Sequence, residues 1–184
     1  MTGTAVVRVS RADWPTLKDV RLRALAADPA AFASTLAREQ AFEDEVWRER
    51  AGAGRSFIAR RDGAVVGVVS YYLEDARPGE RQLVSMWVAP QARRFGVARA
   101  LVEAVQEAAA AEGAARLTLF VVDDNDAARR LYERLGFRPT GEVQALPTDP
   151  RRSEVRYALA LVGADQAEVQ RQAGCLPARR PRGR

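Results

Sequence analysis

The chain has 184 residues, 47% of them apolar and 29% charged, enough for one buried core and too apolar for a disordered polymer. With no histidine and a single cysteine, Cys175, it excludes an internal disulfide and a His/Cys zinc site. The formal net charge is +5, but residues 171–184 carry five arginines and no acid, so residues 1–170 are formally neutral and offer nucleic acid no net basic excess.

A first strand is predicted over AVVRVS, residues 5–10. DWPTLKDVRLRALAAD then places Leu17, Val20, Ala24 and Ala27 at spacings of three and four, which predicts an amphipathic helix capped by Asp13 with Pro15 in its first turn. Residues 29–42 predict a second, shorter helix, and residues 43–52 a further turn or two ending near Gly52 or Gly54. Ser56–Arg60 and Ala64–Tyr72 are β-rich and flank Asp62-Gly63, a two-residue hairpin signal. RQLVSMWVAP (81–90) reads as a strand halted by Pro90, and the alanine-rich stretch from Gly96 to Gly113 as a helix. The apolar run at 115–122 has the character of a strand buried on both faces. A helix follows from Asn125 to Gly136, and FRPTGEV and EVRYALAL close the domain as strands, with residues 144–154 as the loop between them.

This order, β-α-α-β-β-β-α-β-α-β-β, predicts a single α/β domain over residues 1–162, with a mixed sheet and helices on both faces. Residues 163–184 read as an Arg/Pro/Gly-rich, solvated tail. No run of about 18 apolar residues occurs and the N-terminal stretch lacks a signal-peptide core, so a cytoplasmic protein without membrane contact is expected.

The junction VAPQARRFGVARALV (88–102) runs from a strand through a basic hinge into a helix. A helix start leaves N–H groups unpaired and attracts anions. Gly96 and Ala98 would let a pyrophosphate approach the backbone, with Arg93 and Arg94 adding charge. The alternative is an ordinary strand-to-helix turn with solvated arginines. Neither GxxxxGK[ST] nor GxGxxG is matched.

Arg93, Gly96 and Ala98 form R-x-x-G-x-A after a strand ending V-A-P, and a second block, NDAARRLYERLGF (125–137), places Asn125, Ala128, Tyr132, Gly136 and Phe137 in register. Together these blocks resemble the acyl-CoA-binding hallmarks of the GNAT family of N-acetyltransferases, and the resemblance covers residues 5–162. It implies a mostly antiparallel mixed sheet, a splayed strand pair holding acetyl-CoA as co-substrate, no metal, and acetyl transfer straight to an amine. Met86, Trp87 and Val88 would pair with the pantetheine arm through their backbone. A backbone N–H of that strand would stabilise the oxyanion. The pyrophosphate would rest on Arg94, Phe95, Gly96, Val97, Ala98 and Arg99. Asn125 reads equally as a cofactor contact or a helix cap, Ala128 as a neighbour of the cofactor, and Arg130 as a phosphate contact or a solvated arginine. Tyr132 shares an apolar stripe with Ala128, Leu131 and Leu135; the resemblance implies that it protonates the departing thiolate.

In relatives that acetylate ribosomal-protein N-termini, a glutamate stands five residues before the motif asparagine; here that position is Phe120. Glu39, Glu74 and Glu80 remain candidate bases, and Ser85 a candidate to hold a relay water. The resemblance places the acceptor near Phe32, Ser34, Thr35 and Glu39 on one side and residues 144–154 on the other. A small-molecule amine is the leading expectation. The alternatives are a protein lysine or N-terminus, or a non-catalytic acyl-CoA sensor. Homodimers are common in the family. Cys175, outside the folded body, leaves a covalent acyl-enzyme without a nucleophile and points to direct transfer.

Overall fold

Asp62 and Gly63 both hold positive φ, 50° and 80°, as a two-residue hairpin turn requires, and they join β2 (Ser56–Arg61) to β3 (Ala64–Leu73). The computed structural model describes residues 3–161; the tail read at 163–184, with Cys175, lies outside the described residues. Around the hairpin, β1 (Ala5–Arg8), β4 (Glu80–Val88), β5 (Arg116–Val122), β6 (Arg138–Leu146) and β7 (Asp149–Ala160) complete a seven-stranded sheet in the order β1-β2-β3-β4-β5-β7-β6. Among the described residues only the β4–β5 pair is parallel. The sheet is therefore mixed and mostly antiparallel, as expected.

Alternation along β3 separates the two helical layers. Val68 and Ser70 share a cavity wall with Leu17 of α1 (Trp14–Ala27) and Trp47 of α3 (Asp44–Gly52). Gly67 faces the other way, where a Cβ would lie 2.9 Å from Leu101 and 3.3 Å from Val97 of α4 (Val97–Ala111). The stripe Val97, Leu101, Val105 and Ala108 of α4 is buried against the sheet, and α5 (Asp126–Arg134) buries Tyr132.

Three expectations change. Residues 29–42 do not form one helix: a single 3-10 turn (Pro29–Ala31) is followed by extended Phe32, and α2 spans only Leu36–Gln40. The break draws Phe32 into the core, and Thr35 restarts the helix by accepting from the Arg38 N–H. Asp13 stands at the N-cap position of α1, but its carboxylate bonds to no helix N–H and turns back to the N–H and hydroxyl of Ser10. Residues 144–154 are not a free loop, since β6 and β7 continue through them to a tight turn at Pro147-Thr148. β6 is a sheet edge exposed along nearly its whole length, so no apolar alternation marks its continuation beyond the strand expected at FRPTGEV. Among the described residues no helix is long and apolar enough to cross a membrane.

Candidate active site

β4 and β5 pair only where Glu80, Arg81 and Gln82 face Arg116, Leu117 and Thr118. Beyond that point β4 stays paired with β3, and β5 with β7 out to Val122, so the facing edges of β4 and β5 part and leave backbone groups without a sheet partner. On the β3 side, Ser70 opposes Val84 while Val68 opposes Trp87. The extra β4 residue makes a bulge, and Ser85 takes φ +58°, a conformation costing about 1–3 kcal/mol for a non-glycine residue. A cavity of about 110 Å³ fills the notch, with Leu83, Met86, Leu119, Val121, Asn125 and Tyr132 among its walls.

The hinge after β4 exposes main-chain donors. Arg94 and Gly96 both have positive φ, 68° and 78°, and a Cβ on Gly96 would meet nothing within 4 Å. Glycine is favoured there by conformation, and open space lies above it. Ala100 is the first residue whose N–H bonds back, to the Gly96 carbonyl, so Val97, Ala98 and Arg99 present the free N–H groups of a helix start. Arg93 is committed elsewhere: its guanidinium donates to the Val88 carbonyl at 2.9 Å and to Asp28 at 2.6 Å. Asp28 also accepts from the Trp87 indole at 2.8 Å. The Arg93 side chain thus fastens the hinge to the end of α1 instead of reaching over it as expected. Arg99 pairs with Glu103 on its own helix. Phe95 is exposed beneath the Arg61 guanidinium, 4.0 Å from its ring centre. Arg94 and Arg130 are exposed.

At the other wall of the notch, Asn125 caps α5 by accepting from the Ala128 N–H at 3.1 Å, and both residues border the cavity. The two readings of Asn125 coexist geometrically. Tyr132 is buried, edge-on to Phe137 at 5.6 Å. Burial alone pushes its phenol well above 10, so it is a protonated donor at neutral pH.

A second cavity, of about 320 Å³, lies between the first helices and the β2–β4 face and shares Val84 and Ser85 with the notch. Glu39, 2% exposed, lies in its wall. Arg21 grips it through Nη2 at 2.7 Å and Nε at 3.1 Å, and Arg50 adds a contact at 3.2 Å. Burial would raise this carboxyl, but Arg21, Ser34 and Arg50 together outweigh burial and hold it below the usual carboxylate range. It is an ion-pair anchor and a poor proton acceptor. Phe32 stacks under Arg21 at 4.6 Å and borders the notch, whereas Ser34 and Thr35 line neither cavity. Glu80 and Glu74 are not brought to the bulge either. Both pair with buried Arg156, at 2.7 and 2.6 Å, and neither lines either of these two cavities.

The acetyltransferase (GNAT) family model matches residues 19–137. The chain belongs to the GNAT acetyltransferase family. A mycothiol acetyltransferase from Beutenbergia cavernae is 33% identical over 119 residues, which is 64% of this chain and 38% of that protein, so the chain spans well under half of that relative's length. Among solved structures, the ribosomal-protein-S18-alanine N-acetyltransferase of Escherichia coli superposes with a TM-score of 0.64 at 22% identity, covering 88% of this chain and 96% of the other. A GNAT-family acetyltransferase of Streptococcus pneumoniae gives 0.70 at 20% identity, covering 87% and 100%. At these identities the likeness is one of fold. The GNAT family uses acetyl-CoA as co-substrate. The chain's parted strands, bare helix start and open space over Gly96 fit that carrier on geometric grounds. Sequence reasoning missed Arg21, Trp47, Arg50, Arg55 and Tyr72 in the second cavity. Arg21 alone left a local signal, an arginine four residues after Leu17 on the apolar face of α1.

Proposed function

We propose that this GNAT enzyme moves the acetyl group of acetyl-CoA directly to a primary amine of a small molecule within a ternary complex. The observation that carries the proposal is the meeting of the two cavities at Val84 and Ser85, which lets a thioester in one face an amine in the other. When bound, acetyl-CoA supplies the activated acetyl group. The edge of β4 that faces the notch along Met86, Trp87 and Val88 binds the pantetheine arm like an added strand, and the amides of residues 94–99 take the pyrophosphate. A main-chain N–H of β4 near the bulge donates to the oxyanion as it develops. Tyr132 donates its proton to the leaving thiolate sulfur as that atom departs. The amine proton leaves through Ser85 and water, because Phe120 stands in the notch wall and Glu39 is held by two arginines.

A small acceptor is favoured by the closed end of the site. The β6–β7 turn reaches back to the segment after α1, with Thr148 donating to the Phe32 carbonyl at 3.3 Å. Arg152 ties to Asp124 at 2.6 Å. These links narrow the path an extended peptide would need. The test is thiol release from acetyl-CoA across a panel of small amines, lysine peptides and N-terminal peptides. Turnover of small amines at least about 10-fold above peptides in kcat/KM supports the reading; the reverse order overturns it.

A further inference from the structure

The polar side chains in the wall of the second cavity are mostly donors. Its charged lining is Arg21, Arg50 and Arg55 against a single acid, Glu39, beside the neutral phenols of Tyr71 and Tyr72. Both oxygens of Glu39 are already taken, Oε1 by Arg21 and Oε2 by Arg21 and Arg50, so positive charge is left over. Arg55 is half-buried and forms no ion pair among the described residues; Glu112 acts on it only at longer range, being bound by Tyr71 and Arg81. Two buried donors in the same wall, Arg21 Nη1 and Trp47 Nε1, have no acceptor in the protein. The hydroxyls of Ser56 and Ser70 satisfy each other at 2.8 Å. Glu74 and Glu154 influence the Tyr72 phenol, but they line neither cavity and are bound by Arg156 and Gln144.

A cavity with surplus guanidinium charge and orphan donors rejects a polycation by like-charge repulsion and rewards an acceptor-rich anion. We infer that the acceptor is an amine that also bears a carboxylate, an amino acid or a close analogue, with Arg50 and Arg55 as the specificity-determining residues. This rests on the acetyl-transfer reading above and names its substrate class. The reaction balances without a further reagent: the amine nitrogen bonds to the acetyl carbon, the carbon–sulfur bond breaks, and the amine's proton is lost as the thiolate gains one. The carboxylate is a spectator held by charge.

The experiment compares free amino acids, their carboxamides, the matching amines without the carboxylate, and spermidine as acceptors in the thiol-release assay. The acids are expected to exceed their amides and spermidine by about 10- to 100-fold in kcat/KM, the value of a charge-assisted contact. Arg50→Gln and Arg55→Gln should each raise KM for the acid by about 10-fold with acetyl-CoA affinity unchanged, and Arg55→Lys should retain part of the preference. A second arm uses calorimetry on the CoA-saturated protein, comparing N-acetylated amino acids with their amides, and reads the same preference without catalysis. Equal or better use of amides or spermidine, no carboxylate preference in calorimetry, or a preference untouched in both glutamine variants overturns the inference. Failure of the acetyltransferase reading shows differently, as no thiol release with any acceptor while acetyl-CoA still binds. The calorimetric arm then still decides the anion question.

Discussion

Tyr132→Phe removes one oxygen from the wall of the notch and nothing else. The ring is buried against Phe137, and burial is the sole cause of its raised pKa, with no hydrogen-bonding neighbour contributing. The phenylalanine therefore keeps the packing, and stability should change by less than about 1 kcal/mol. Loss of a general acid should lower kcat by about 10²- to 10⁴-fold, or about 3–5 kcal/mol of barrier. The Kd for acetyl-CoA should move by less than about 3-fold, because the hydroxyl acts on a sulfur that becomes charged only as the bond breaks. The raised pKa adds a second expectation: the phenol stays protonated through the neutral and mildly alkaline range, so its ionisation should cause no fall in kcat below about pH 10. Stopped thiol-release assays on both proteins, with urea melts in parallel, provide the measurements. A kcat for the variant within about 3-fold of wild type, with an intact fold, would refute the role given to Tyr132.

Gly96→Asp places a carboxylate beside the free amides and forces an L-residue into φ +78°; the Kd for acetyl-CoA should rise at least about 10-fold by calorimetry, and an unchanged value contradicts the pyrophosphate site. Gly67→Ala adds a Cβ 2.9 Å from Leu101 and 3.1 Å from the Trp87 carbonyl. It should cost about 1–3 kcal/mol in denaturant melts, and an unmoved midpoint would show that α4 yields there. Glu39→Gln leaves buried Arg21 without its main countercharge and should cost about 3–5 kcal/mol at neutral pH. The Glu39 carboxyl is held below its ordinary 4.5 in the fold, so its contribution is complete above that pH and lost as pH falls through the folded value. The gap between wild type and variant should close on acidification, and a gap constant below pH 4.5 contradicts the ion pair.

The sequence disclosed what is local. The Asp62-Gly63 turn, the strand-hinge-helix around Gly96 and the Asn125–Gly136 helix each carry their signal within a few residues, and the structure has them there. Distant partners were silent. Arg93 was read as a phosphate ligand because it stands just upstream of the helix start at Gly96 and opens R-x-x-G-x-A, whereas the acid that claims it, Asp28, lies 65 residues earlier. The arginines of the second cavity come from α1, α3 and the approach to β2, and no spacing rule joins them. Helix periodicity over 29–42 was broken by Phe32, whose burial outweighs the helix propensity of the alanines around it. Edge strand β6 was legible as FRPTGEV, but its continuation to Leu146 was read as loop, because an exposed edge needs no apolar alternation.

The parting of β4 from β5 carries the rest of the account, and a crystal structure with acetyl-CoA or CoA tests it most directly. The account predicts the pantetheine arm between Leu83–Val88 and Leu119–Val122, with the pyrophosphate within hydrogen-bond distance of the amides of residues 94–99. A carrier bound elsewhere, or backbone pairing of β4 with β5 continued past Gln82 and Thr118, would contradict it.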